Sequence, residues 1–248
     1  MRLGMMQPYF FPYLGYFALI AATDRWVVFD TAQYIRRGWV NRNRVLSTGA
    51  AGWKYVRVPV ASGPRSRRIG DVQIAGDSGW REDMLRHLDC YRLRRAPYFD
   101  ETHAFLAATL NNCGRSLCDT LVQCQSETCR FVGLKFRPEI FSQTALSHIE
   151  VTSPGGWALE VSRQLGAERY VNPPGGRGIF DVDQFEAAGV SLQILNHRLP
   201  RYDQGQSDFL PGLSIIDVLM WNGRERTRAM IDDYDIETLT SVHASRAA

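Results

Sequence analysis

Three stretches of this 248-residue chain carry side chains at spacings that chemistry can use. In "RRGWVNRNRV" (36–45), Arg42 and Arg44 differ by two. An extended backbone therefore sets both guanidiniums on one face and Asn41 and Asn43 on the other. Paired guanidinium forks suit bidentate phosphate binding, and Trp39 offers a plane on which a base or a sugar can stack. The competing reading is a basic hairpin edge that discourages aggregation. "NPPGGRG" (172–178) supplies Asn172, glycine backbone N–H groups and Arg177 ahead of a helix start, the parts of a phosphate cradle. It lacks the spaced Gly-Lys-Ser/Thr ending of a P-loop, so a plain connecting loop is the alternative. Gln7 and Tyr9 follow one apolar run, and Asp30 and Gln33 follow the next. Polar residues at successive strand ends can converge on one ligand, with Asp30 as a base toward an amine or the orienter of a hydroxyl. Asp30 could equally pair with a nearby arginine.

Other candidates read as structural. His87, Cys90 and Tyr91 share one helical face, a spacing that permits a nucleophile–base pair. Adjacency alone does not lower a thiol pKa, so a packed helix face is the preferred reading. Cys113, Cys118, Cys124 and Cys129 are separated by four, five and four residues, which no common zinc site uses. They are expected to be buried free thiols, and no metal is expected. An odd total of five cysteines argues against a disulfide framework and for a reducing compartment, the cytoplasm.

The net charge of +3 conceals an asymmetry. Residues 25–68 hold ten Arg and Lys and one acid, Asp30, a local charge of +9. Such a segment attracts anions: a nucleotide diphosphate, a carrier-protein phosphopantetheine arm, or nucleic acid. No nucleic-acid-binding motif accompanies it, which argues against the last.

These groups need a scaffold, and the hydrophobic pattern supplies one. Strands are expected at Leu3–Met6, 25–30, 54–60, 135–143, 167–174 and 191–197. Pro138 confines its strand to an edge or a strand end. Helices are expected from Tyr13 to Ala22, over 77–91 with Asp77 or Ser78 as cap, onward to Phe131, and over 153–166, 180–190 and 211–223. The alternation predicts an α/β fold: a parallel or mixed sheet covered by helices, a Rossmann-like three-layer architecture. It reads as one domain over 1–237, with a helical insertion at about 77–132 and a polar tail at 238–248. The greasy opening "GMMQPYFFPYLGYFALIAA" (4–22) is broken by Gln7, Pro8 and Pro12. It is therefore expected to be strand, loop and helix, and neither a leader nor a membrane anchor.

The motifs "QPYFFPYLGYFALI" (7–20), "DTAQYIRRGWVNRNRV" (30–45), "YVRVPV" (55–60), "RAPYF" (95–99), "LGAERYVNPPGG" (165–176), "FEAAGVSLQ" (185–193) and "LSIIDVLMWNG" (213–223) follow one another along nearly the whole chain. In them the sequence resembles the WbqC-like proteins of surface-polysaccharide gene clusters. That resemblance implies a cytoplasmic enzyme of glycan assembly that moves an acyl or aminoacyl group onto the amine of a nucleotide-activated amino sugar. Its donor would be a thioester on CoA or an acyl carrier protein. Asp30, Gln7 and Tyr9 would then serve the chemistry. Gln33, Trp39, Asn41, Arg42, Asn43, Arg44, Asn172 and Arg177 would hold the substrate. Two positions depart from the family pattern: Tyr9 stands where relatives often have His, and Leu199 stands where many place a His before Pro. A nucleotidyltransferase-like enzyme is the alternative, although Tyr13 and Tyr16 occupy the places of the His-x-Gly-His histidines. A non-catalytic binding module for a nucleotide sugar or carrier protein is another.

Overall fold

The apolar runs become short strands, and the amphipathic stretches become the helices that cover them. The computed structural model describes residues 1–76, 79–151 and 153–241. In chain order its elements are β1 (Arg2–Met6), α1 (Leu14–Ala21), β2 (Arg25–Val28), β3 (Arg42–Leu46), β4 (Trp53–Arg57), α2 (Trp80–Arg86), α3 (Asp89–Leu93) and α4 (Phe99–Asn111). They continue with α5 (Leu117–Phe131), β5 (Pro138–Ile140), α6 (Gly156–Gln164), β6 (Arg169–Asn172), α7 (Val182–Ala187), β7 (Ser191–His197), α8 (Ile215–Ile231) and β8 (Tyr234–Thr238). Six strands form one sheet in the order β5-β2-β1-β6-β7-β8. Its first five strands run parallel and β8 runs antiparallel to β7. The order reverses between β1 and β6, the switch point beyond which open α/β sheets hold ligands.

Alternation along each strand feeds two cores, one on each face. Leu3, Met5, Val27, Tyr170 and Leu192 pack with Ala158 and Val161 of α6 and Phe185 of α7. Trp26, Val28, Val171 and Leu195 pack with α1, α5 and α8 through Phe17, Leu121 and Leu219. The architecture is three-layer α/β, as expected. Gly4 is needed in β1 because a Cβ there would stand 2.9 Å from the Trp26 ring. Pro138 opens β5, an edge strand, where its missing N–H costs nothing. Among the described residues no helix is long and apolar enough to cross a membrane.

The expected elements change in four places. The segment 77–91 forms two short helices, α2 and α3, and the caps proposed at Asp77 and Ser78 lie outside the described residues. The basic segment folds into a separate antiparallel hairpin, β3–β4. The closing helix runs to Ile231, broken at Gly223, which takes φ 67° and ψ 179°. Finally, Tyr234–Thr238, for which no strand is expected at the end of the 1–237 domain, adds β8 to the sheet edge. The hairpin and α2 to α5 all lie between β2 and β5, so they issue from the ligand end of β2.

Candidate functional site

The β3–β4 hairpin sorts its side chains by face. Inward, Asn41 accepts from the Tyr34 hydroxyl at 2.9 Å and donates to the Val58 carbonyl at 2.7 Å. Asn43 donates to the Phe11 carbonyl at 2.9 Å and accepts from the Arg44 N–H at 2.8 Å. Both asparagines are buried. Outward stand Arg42, Arg44, Tyr55 and Arg57, with Arg42 directly opposite Arg57 and Arg44 opposite Tyr55. The Arg42 guanidinium lies 4.0 Å above the Tyr55 ring, and that of Arg44 lies 5.3 Å from Trp53 and 5.7 Å from Trp39. Trp39 remains 47% exposed, so the stack ends on an open aromatic plane.

Like charges directly across a strand pair destabilise it. An acid would relieve the Arg42–Arg57 pair, yet residues 31–70 contain none. Among the described residues no cation of that segment enters an ion pair, whereas Arg25, Arg163 and Arg198 elsewhere all do. Arg44 gives one amino group to the Pro211 and Gly212 carbonyls, and its buried Nε has no partner. Tyr55 and Arg57 also line a groove of about 470 Å³ with Pro59, Trp80, Asp83, Met84 and His87. Cationic forks, stacking planes and one imidazole thus meet on a single surface. Such a surface can hold a phosphate or diphosphate and stack the attached ring.

The residues expected at the strand ends are each tied into the scaffold by side chain or backbone. Asp30 is 3% exposed, and its two carboxylate oxygens accept from the Ser142 N–H at 3.0 Å and the Ser142 hydroxyl at 2.6 Å. It ties the end of β2 to the turn after β5. Gln7 is half-buried and its carbonyl accepts from the Tyr16 hydroxyl, while the Tyr9 carbonyl accepts from Gln125. Burial raises the Tyr9 phenol above its ordinary pKa. The rest of that loop is also held: Phe10 N–H by Val40, the Phe11 carbonyl by Asn43 and Ser214, and the Pro12 carbonyl by the Ile215 N–H. Gln33 donates to the Arg65 carbonyl at the exposed rim of the basic segment. Asn172 is buried against Gly176 and donates to the Pro173 carbonyl, and Arg177 pairs with Glu237 of β8. Only Trp39, Arg42 and Arg44 of the expected set come together on the outer surface. Trp53, Tyr55, Arg57 and His87 join them. The period of two in the expected strand 54–60 is the signal that could have put Tyr55 and Arg57 on one face.

A sequence model of the WbqC-like protein family matches residues 7–229. The chain belongs to the WbqC-like family. It is 26% identical over 233 residues to the uncharacterized protein Rv1507c of Mycobacterium tuberculosis, covering 90% of this chain and 95% of that protein. No solved structure matches it.

The WbqC-like motif "LSIIDVLMWNG" contributes a residue outside the expected set. Asp217, fully buried in α8, accepts from the Tyr91 hydroxyl at 2.7 Å, the Tyr202 hydroxyl at 2.5 Å and Gln204 at 3.0 Å. Burial outweighs these donors and pushes its carboxyl up to about 6. Tyr91 in turn accepts from the Leu46 N–H at 3.0 Å, and Cys90 donates to the Leu46 carbonyl at 3.1 Å. The expected single helix for His87, Cys90 and Tyr91 is broken after α2, so His87 caps α2 while Cys90 and Tyr91 make α3 a clamp on β3. Burial raises the Cys90 thiol, and His87 alone of the three faces the groove. A lone acid inside an apolar helix was the available signal for this network.

Proposed function

We propose that this WbqC-like protein is a cytoplasmic transferase of glycan assembly that binds the diphosphate of a nucleotide-activated amino sugar on the hairpin face. The observation that carries this reading is the Arg42–Arg57 cross-strand pair, which no acid neutralises among the described residues, on the same hairpin as Arg44 and its exposed neighbour Trp39. Arg42, Arg44 and Arg57 hold the phosphates, Trp39 and Tyr55 stack the base or sugar, and the amine lies in the groove beside His87. The reaction is acyl or aminoacyl transfer: the amine attacks the carbonyl of a thioester on CoA or a carrier protein. His87 takes the ammonium proton, and the thiolate leaves. The reaction type rests on the family; the site rests on the charge pattern.

The test is calorimetric titration with uridine diphosphate and a uridine-diphosphate amino sugar, followed by mass analysis of mixtures containing acetyl-CoA. Arg42→Gln with Arg57→Gln should weaken binding about tenfold or more while the protein stays folded, since each charge-assisted bond contributes roughly 1.5–3 kcal/mol. Equal binding by a folded double variant would remove the site. Tighter binding of a single-stranded oligonucleotide would replace the substrate class. Binding without any acyl product would leave a sugar-nucleotide binding module.

A further inference from the structure

The Arg44 guanidinium is aimed by a loop far from it in sequence. Its Nη2 donates to the Pro211 carbonyl at 3.3 Å and the Gly212 carbonyl at 3.4 Å. The Ser214 N–H ties the same loop to β3, donating to the Arg44 carbonyl at 2.9 Å. The guanidinium also lies 5.3 Å from the Trp53 ring and 5.7 Å from that of Trp39. Its Nη1 makes no hydrogen bond among the described residues, so that group is left for an anion.

That loop is itself held from inside. Gln204, buried, pairs its amide with the Leu210 backbone in both directions: Oε1 accepts from the N–H at 2.8 Å and Nε2 donates to the carbonyl at 3.0 Å. Neither Leu210 group has another partner among the described residues. The second hydrogen of Nε2 goes to the Asp217 carboxylate at 3.0 Å, so the clip is seated on α8. Arg94 holds the opposite side of the loop, donating to the Gly205 carbonyl and the Gln206 side chain, each at 3.1 Å. A continuous chain of bonds thus runs from Asp217 through Gln204 and Leu210 to the two carbonyls that hold Arg44.

We propose that Gln204, seated on Asp217, is a positioning residue for the hairpin face: it fixes the loop carbonyls that aim Arg44 at a diphosphate. The proposal rests on the reading of that face as a diphosphate site, and Gln204 acts there only through Arg44. A free arginine side chain loses rotamer freedom when it grips an anion, and the loop removes that freedom beforehand. Arg42 and Arg57 receive no bond from residues 204–212, so the effect belongs to Arg44 alone.

The test is a double-mutant cycle read by calorimetric titration of the full chain with uridine diphosphate. Gln204→Leu should weaken binding about fivefold, the scale of immobilising one long side chain on association. The loss should persist in an Arg57→Gln background and vanish in an Arg44→Gln background. Equal or tighter binding by Gln204→Leu, or the same loss in both backgrounds, overturns the positioning role. Absence of binding by the unmutated chain instead removes the diphosphate site, and this role with it. Should Gln204→Leu fail to fold, hydrogen exchange in the unmutated chain decides. By reciprocity, saturating uridine diphosphate should slow exchange of the Leu210 amide about fivefold. An unchanged Leu210 rate in a chain that binds the diphosphate overturns the role.

Discussion

Asp217→Asn tests the buried network through pH. In the folded chain the Asp217 carboxyl titrates near 6, against 3.8 for an ordinary aspartate. Below the lower value both states hold the proton and the network costs nothing electrostatically. As pH rises through the interval, the unfolded chain releases its proton while the folded one keeps it, so stability falls until the folded carboxyl ionises too. The span is about 2 pH units at roughly 1.4 kcal/mol each, a loss of about 3 kcal/mol between pH 4 and 7. Glu160, Glu168, Glu186 and Glu237, each lowered by a hydrogen bond, work in the opposite sense as pH falls below their ordinary 4.5. The informative quantity is therefore the difference between wild type and Asp217→Asn. Asparagine cannot ionise, but it presents a donor where the carboxylate had only acceptors, which costs about 1 kcal/mol at every pH. Urea unfolding followed by tryptophan fluorescence from pH 4 to 7.5 should show the variant gaining about 3 kcal/mol on wild type as pH rises. Parallel profiles would refute the raised carboxyl and the burial argument behind it.

Three further changes separate framework from surface. Asn43→Ala removes bonds to the Phe10 and Phe11 carbonyls and the Arg44 N–H, and should cost about 2–3 kcal/mol in urea unfolding, whereas Arg42→Gln should cost under about 1. Gly223→Ala meets the Tyr98 ring at 2.6 Å and a backbone conformation open essentially to glycine, so thermal unfolding should reveal a loss of about 3 kcal/mol or more.

Local periodicity made much of this fold legible. The pattern of Ser191–His197 predicts a strand with the bounds β7 takes, because a bounded apolar alternation admits few other conformations. The sharing of Arg42 with Arg44, and of Asn41 with Asn43, followed from the same period of two. β8 was missed because "YDIET" is mostly exposed at an edge, and its pairing with β7 supplies what its side chains do not signal. The role of Asp30 depended on Ser142, 112 residues away, and long-range partners leave no mark on either neighbourhood. Likewise nothing near His87 announces that Arg57 shares its groove.

The loop from Gln7 to Tyr13 is braced in part by groups that the ribosome delivers late. The Phe11 carbonyl receives the Ser214 hydroxyl across 203 residues. At about 5–20 residues per second, synthesis leaves that loop without its final brace for roughly 10–40 s. Phe10 and Phe11, fully buried in the finished protein, therefore sit in a loop whose last tie is made only after residue 214 has been added. Chains that terminate before residue 214 lack that tie altogether.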